Sequence, residues 1–208
     1  MSESLLRVEG LTRHFPVGKL LSRQTLHAVD DVSFELGSGE IVALVGESGS
    51  GKSTIARLLA RVYKPSAGEI YFDGRAVSSL TTRRQRLAYA SDVAMVFQDP
   101  YSSLNPAYRV THPIRRGIVL HRRDVSRGAQ REEVERSLAA VGLLPAPRVA
   151  AKFPHELSGG QRQRVGFASA LAVKPKLIVA DEPVSMLDVS IRIGVLNLMS
   201  ELREREGV

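Results

Sequence analysis

Ile41-Val42-Ala43-Leu44-Val45 runs straight into Gly46-Glu47-Ser48-Gly49-Ser50-Gly51-Lys52-Ser53. No other stretch constrains the fold as strongly. The apolar pentad reads as a strand buried on both faces. The eight residues after it match the phosphate-binding pattern G-x-x-x-x-G-K-[ST] without a deviation. Its glycines allow backbone conformations that turn several N–H groups toward one anion. Ile55, Leu58, Leu59 and Val62 then fall at i, i+3, i+4 and i+7, one apolar face of a helix. That helix would aim its positive end at the same anion. Lys52 is in reach of the β- and γ-phosphates of a nucleotide, the Ser53 hydroxyl suits Mg²⁺, and Thr54 shares the first helical turn.

The remaining pattern fits this start. Leu5–Val8, Leu26–Val29 and Val32–Leu36 read as strands, with a loop at 18–24 and a turn at Gly37–Glu40. Pro65 is expected to stop the first helix. Residues 68–74 look like a short strand closed by a turn, and Val93–Phe97 and Leu177–Asp181 are further buried strands. Residues 99–130 are rich in Pro, Arg and Ser, with helical stretches. Val134, Leu138 and Val141 mark one amphipathic helix, ended near Gly142. A second opens at Ser158, and a third runs through Ile191, Val195, Leu198 and Leu202 to Gly207. Strands alternating with helices predict an α/β fold with a largely parallel sheet, an antiparallel β portion at the N-terminus, and a helical insertion around 100–160.

Composition removes several function classes. Hydrophobic residues make up 43% of the 208, enough for a core. The absence of cysteine excludes disulfide scaffolds, cysteine-ligated zinc and thiol catalysis. No run approaches the roughly 18 apolar residues of a membrane span. The first residues lack the basic start and apolar stretch of a signal peptide, so a cytoplasmic protein is expected. The net charge is +7, from 29 basic and 22 acidic residues. Seven arginines against the single Asp124 lie between Arg109 and Arg131, a solvated face or a docking surface. With 5% aromatic residues and no Trp, stacking on nucleic-acid bases is not expected.

Two further motifs carry chemistry. Asp181 closes an apolar strand, where a carboxylate can hold Mg²⁺ beside a phosphate loop. Glu182 next to it could polarise an attacking water. Ser158-Gly159-Gly160-Gln161 opens a helix, and a Ser there is by itself an ordinary cap. Its position, 23 residues before Asp181, makes it more informative.

The ordered set Gly46–Ser53, Gln98, Leu157–Gln161, Asp181–Glu182 and Ser185–Asp188 resembles the nucleotide-binding subunits of ABC transporters. The resemblance covers essentially the whole chain. Phe97–Pro106, His155–Arg164 and Asp181–Ser190 are similar to the ATPases of oligopeptide and dipeptide importers. The resemblance implies a P-loop NTPase core at about 1–98 and 165–208, a helical subdomain at about 99–164, and ATP and Mg²⁺ as cofactors. It implies that Phe15 lies against adenine and that Ser53, Gln98 and Asp181 attend the metal. Glu182 would be the general base. Ser158, Gly159, Gly160 and Gln161 would reach ATP held by a second subunit, and Asp188 would help form that dimer contact. The implied partners are a second ATP-binding subunit, transmembrane permease subunits docking after Gln98, and indirectly an extracytoplasmic solute-binding protein. The implied location is the cytoplasmic face of the membrane, peripherally bound.

Some features depart from that pattern. Met186 stands where Ala is usual and Ser169 where Arg is usual. Family members continue into another strand that ends in a His contacting the γ-phosphate. Val208 precedes it, so a C-terminally truncated chain with impaired hydrolysis is expected. His14, His27, His112, His121 and His155 match no such position and read as surface or packing residues. A soluble ABC ATPase of repair or ribosome function would carry tandem halves or long inserted arms. A non-hydrolysing fragment would need no Glu182.

Overall fold

A computed structural model describes residues 4–17, 24–99 and 103–208. The loop expected at 18–24 lies outside the described residues except for Gln24. So do Pro100, Tyr101 and Ser102 of the motif after Gln98, and the first three residues of the chain. The chain divides into two compact units, Met1–Arg86 and Leu87–Val208.

The first unit is built on a four-stranded antiparallel sheet. Strands β1 (Leu6–Val17), β2 (Gln24–Leu36), β3 (Ala67–Phe72) and β4 (Arg75–Ala76) stand in the order β2-β1-β3-β4. Alternation sets the buried face: Leu6 and Val8 are 1% exposed, whereas Glu9 is exposed. Leu6 and Val8 pair with Leu36 and Phe34 on one side and with Phe72 and Ile70 on the other. The three short strand segments expected at the start are therefore two long ones. Their pairing shifts register between Val8 and Leu11, Leu11 and Arg13, and Arg13 and His14, and these bulges interrupt the apolar alternation. Helix α1 (Lys52–Leu59) buries Ile55, Leu58 and Leu59 and lies against β2. It ends well before Pro65, with Arg61 in the left-handed region at φ 57°, so Val62 falls off the helical face and is 58% exposed.

Ile41–Val45 corrects the reading of a buried strand. The segment has no strand assignment, and Ile41, Val42, Leu44 and Val45 are all exposed, Val45 at 92%. A strand exists through its ladder, and no strand among the described residues pairs with this one.

The second unit holds the parallel part. After helix α2 (Arg83–Asp92), which the sequence reading did not anticipate, strand β5 (Val93–Val96) runs parallel to β6 (Leu177–Ala180), with Val93 opposite Leu177 and Val96 opposite Ala180. Around this pair stand α3 (Thr111–His121), α4 (Gln130–Ala140), α5 (Ala146–Ala151), α6 (Gly159–Leu171) and α7 (Val189–Glu206). Ile114, Ile118, Leu138, Val165 and Val195, all fully buried, anchor one continuous core. Burying side chains of this size contributes roughly 1.5–3 kcal/mol each. Gly207 ends α7 in the left-handed conformation, at φ 68°. The fold is α/β, combining an antiparallel sheet with a parallel pair and helices. Among the described residues the antiparallel part is the larger.

Candidate functional site

In the first unit the loop 46–50 is exposed and tightly wound. Ser50 N–H donates to the Glu47 carbonyl at 3.2 Å, and Ile55 N–H donates to the Gly51 carbonyl at 2.9 Å, opening α1. Gly51 caps the helix at φ 92°, where other residues are strained. A Cβ there would lie 2.2 Å from the Ala28 carbonyl oxygen. This glycine is therefore required twice, by conformation and by contact. Lys52 Nζ donates to the Gly46 carbonyl at 2.8 Å and to the Glu47 carbonyl at 2.7 Å. Its ammonium is thus held over the loop by the loop's own backbone. Ser53 and Thr54 lie in the first turn of α1, partly buried. Phe15, on β1, stands edge-on to Tyr63 at 5.3 Å, with the Arg13 guanidinium over its ring at 4.5 Å.

In the second unit the parallel pair gathers the other polar group. Asp181, at the end of β6, is 4% exposed, and its N–H donates to the Val96 carbonyl at 2.9 Å. The two strand ends are therefore locked side by side. Two residues after the end of β5, past Phe97, Gln98 donates from Nε2 to Glu182 Oε2 at 2.7 Å. Gln98 Nε2 also lies 3.4 Å from Ser185 Oγ, and that hydroxyl donates to the Glu182 carbonyl at 3.0 Å. Glu182 sits at φ 43°, a left-handed conformation uncommon for a non-glycine residue. Such strain persists where surrounding bonds over-determine the backbone, and here the Ser185 N–H and Oγ both bond to the Glu182 carbonyl. Ser185 lies in the motif Ser185–Asp188, to which the resemblance assigns no role at this position. Its signal was its spacing, three residues after Glu182 in a turn.

Ser158 caps α6. Its Oγ accepts from Gln161 N–H at 3.3 Å, while its own N–H donates to Gln161 Oε1 at 3.1 Å. This reciprocal pair fixes the entry to the helix. Gly160 is buried, and a Cβ there would lie 2.6 Å from Ile191 Cγ2, so a glycine lets α6 and α7 approach. Gly159 is the first residue of the helix. Asp188 precedes α7 as an exposed cap residue without a side-chain cap bond. Of the two departures, Met186 is 58% exposed, whereas Ser169 Oγ is buried without a hydrogen-bond partner among the described residues. The structure thus brings Gln98, Glu182 and Ser185 together. It groups the phosphate loop by itself in the other unit.

Taken singly, the Ser53 hydroxyl in the first unit and the Gln98 amide and Asp181 carboxylate in the second are oxygen donors of the hard type that Mg²⁺ prefers. Asp181 in particular is a buried carboxylate at a strand end. The residues therefore fit the metal.

The family model described as "ABC transporter" matches residues 29–185. The oligopeptide transport ATP-binding protein OppF of Bacillus subtilis is 44% identical over all of this chain and 66% of its own length. The oligopeptide transport ATP-binding protein AppF of the same organism is 45% identical over 97% of this chain and 61% of its own. The chain thus spans less than two thirds of the length of these curated relatives. Among solved structures, the dimeric ATP-binding cassette MJ0796, in a post-hydrolysis state bound to ADP and Pi, superposes with a TM-score of 0.82. That match is 29% identical and covers 97% of this chain and 84% of that one. CbiO1 from Clostridium perfringens, part of the transporter complex cbiONQ, superposes with a TM-score of 0.80 at 27% identity, covering 99% and 76%. Among the described residues no helix is long and apolar enough to cross a membrane.

Proposed function

The chain belongs to the ABC transporter family, and from that premise we propose that it is the ATP-binding and ATP-hydrolysing subunit of an importer for peptides or related solutes. The observation that carries this reading is the 2.7 Å bond from Gln98 to Glu182 at the ends of the parallel strands. It joins the two residues that an ATPase of this type would use at the reacting phosphate.

In the proposed mechanism the loop 46–51 wraps the phosphates with backbone N–H groups. Lys52 exchanges its carbonyl partners for the β- and γ-phosphates, and Thr54 assists in the first turn. Phe15 offers its ring to adenine. Glu182 accepts the proton of the attacking water, and Gln98 orients Glu182. Ser53, Gln98 and Asp181 would hold Mg²⁺, which would supply charge neutralisation on the phosphate oxygens. Ser158, Gly159, Gly160 and Gln161 present the start of α6 to ATP held by a second subunit, with Asp188 at that dimer contact. The dimeric cassette MJ0796 supports this arrangement by analogy.

The segment after Gln98 is the proposed permease contact. A cavity of about 330 Å³ there is lined by Leu104, Tyr108, Val110, Pro113, Arg116 and Pro154. Docking would hold the subunit peripherally at the cytoplasmic face, with a solute-binding protein acting through the permease. The division into a catalytic core at 1–98 and 165–208 and a helical subdomain at 99–164 belongs to the same proposal. In the 208-residue chain by itself hydrolysis should be weak, because Ile41–Val45 leads into the phosphate loop without a sheet partner among the described residues. ATP binding and phosphate release in Lys52→Ala and Glu182→Gln test the reading.

A further inference from the structure

The strands β1 and β2 bring together three side chains unrelated to the phosphate loop. His14 stands opposite His27 in the ladder, and their rings lie 3.9 Å apart at 41°. Asp30 faces both. Its Oδ1 is 3.7 Å from His14 Nε2, and its Oδ2 is 3.8 Å from His27 Nδ1. One ligand atom from each residue falls within 4.8 Å of the other two.

A regular strand would not do this. Residues 27 and 30 are three apart and would point to opposite faces. Arg13 pairs with Val29, yet His14 pairs with His27, so Ala28 is an extra residue on β2. That bulge turns His27 onto the side of Asp30. The His14 backbone N–H is pinned to Ser66 Oγ at 3.1 Å.

A second observation points to a missing partner. His14 Nε2 is buried and makes no hydrogen bond among the described residues. A buried ring nitrogen without a hydrogen bond is costly, and the Asp30 carboxylate, at 3.7 Å, is too far away to supply one.

We propose that His14, His27 and Asp30 form a binding site for a divalent transition-metal cation of the zinc type. Two imidazoles and a carboxylate are a zinc ligand set that leaves a fourth position for water. Ligand atoms around tetrahedral zinc stand about 3.4 Å apart, so the observed spacing closes with small movements of His27 and Asp30. Their side chains are 57% and 68% exposed and have room to move. The cation would clip β1 to β2. It would also sit beside Ala28, whose carbonyl meets Gly51 of the phosphate loop.

The test is calorimetric titration of Zn²⁺ into the untagged 208-residue protein, free of nucleotide and Mg²⁺. The expected result is one Zn²⁺ per chain. His27→Ala and Asp30→Asn should each weaken binding at least tenfold, by comparison with the 10–100-fold typical of residues that merely support a ligand. Both replace exposed side chains, and zinc-free melting curves matching the wild type will show that they fold. His155→Ala should bind as the wild type does. Unchanged affinity in both ligand variants would overturn the proposal. So would the absence of 1:1 binding to the wild type at millimolar Zn²⁺.

Discussion

Gln98 and Glu182 are 84 residues apart in sequence and hydrogen-bonded at 2.7 Å, because β5 and β6 run parallel and end together. Besides its proposed place at Mg²⁺, Gln98 is expected to position Glu182. Gln98→Ala should therefore lower the rate of phosphate release about tenfold or more while nucleotide affinity stays within a few-fold. Losing one orienting hydrogen bond, worth roughly 1.5–3 kcal/mol to a charged acceptor, sets that scale. Equal losses of binding and turnover in this variant would reassign Gln98 to general stability.

Gly51→Ala addresses the phosphate loop. The new methyl group would meet the Ala28 carbonyl at 2.2 Å, and the residue would be held at φ 92°. Strain of this kind costs on the order of 1–3 kcal/mol. The loop should shift to relieve it, and the affinity for a fluorescent ATP analogue should fall at least tenfold. An unchanged affinity would mean that the loop geometry does not decide binding.

The helical part of the second unit contains a pH-dependent ion pair. Arg122, whose side chain is 9% exposed, donates from Nε and Nη2 to the Asp124 carboxylate at 2.7–3.1 Å. It also lies 3.8 Å from Glu133 and donates to the Ala172 carbonyl at 3.5 Å. The hydrogen bonds from Arg122 hold the Asp124 carboxyl below its usual range, and the same bonds raise the arginine. A lowered carboxyl pKa stabilises the folded state fully above the unfolded value, about 3.9. That contribution is lost as pH falls through the lower folded value. Thermal melts should therefore show the wild type losing its advantage over Asp124→Asn below about pH 4. At neutral pH, Arg122→Ala should destabilise more than Asp124→Asn, because it also removes the contacts to Glu133 and to the Ala172 carbonyl, although Glu133 keeps Arg136 at 2.7 Å. Parallel pH profiles for wild type and Asp124→Asn would contradict this account.

For the proposed permease contact, the informative change is Arg116→Glu combined with Tyr108→Ala. Both side chains line the cavity, and Tyr108 is 48% exposed and stacks on His112 at 4.0 Å. Arg115, the neighbouring arginine, instead donates to the buried Gln130 at 2.9 Å, so reversing it would disturb packing as well. Copurification with the permease should drop while ATP-analogue binding is preserved. Undiminished copurification would make this stretch a solvated surface.

How far the sequence was legible depended on where each element finds its partners. The helices through Val134 and Leu138 and through Ile191–Leu202 carry their own apolar stripe, and the structure has them as read. The Gly46–Ser53 loop was equally clear, because its pattern is local. Ile41–Val45 was misread because an apolar pentad reports a capacity for burial, while burial itself needs neighbouring strands. Helix α2 escaped notice because Arg83-Arg84-Gln85-Arg86 has no apolar face. The His14–His27–Asp30 cluster was invisible because the bulge at Ala28 breaks the two-residue period that a sequence reading assumes. The contact of Gln98 with Glu182 was not legible, since no spacing rule spans 84 residues and the resemblance implied a role for each residue separately.

Separating nucleotide binding from chemistry tests the central claim most directly. Fluorescent ATP-analogue titration and phosphate release are measured side by side for wild type, Lys52→Ala and Glu182→Gln. Lys52→Ala should bind about ten- to a hundred-fold more weakly, as a lost charge-assisted contact of roughly 1.5–3 kcal/mol requires. Glu182→Gln should bind within a few-fold of wild type while losing its phosphate release, by about 10²-fold or more where the wild-type rate allows it to be seen. Full turnover in Glu182→Gln, or unweakened binding in Lys52→Ala, would contradict an ATPase built on these residues.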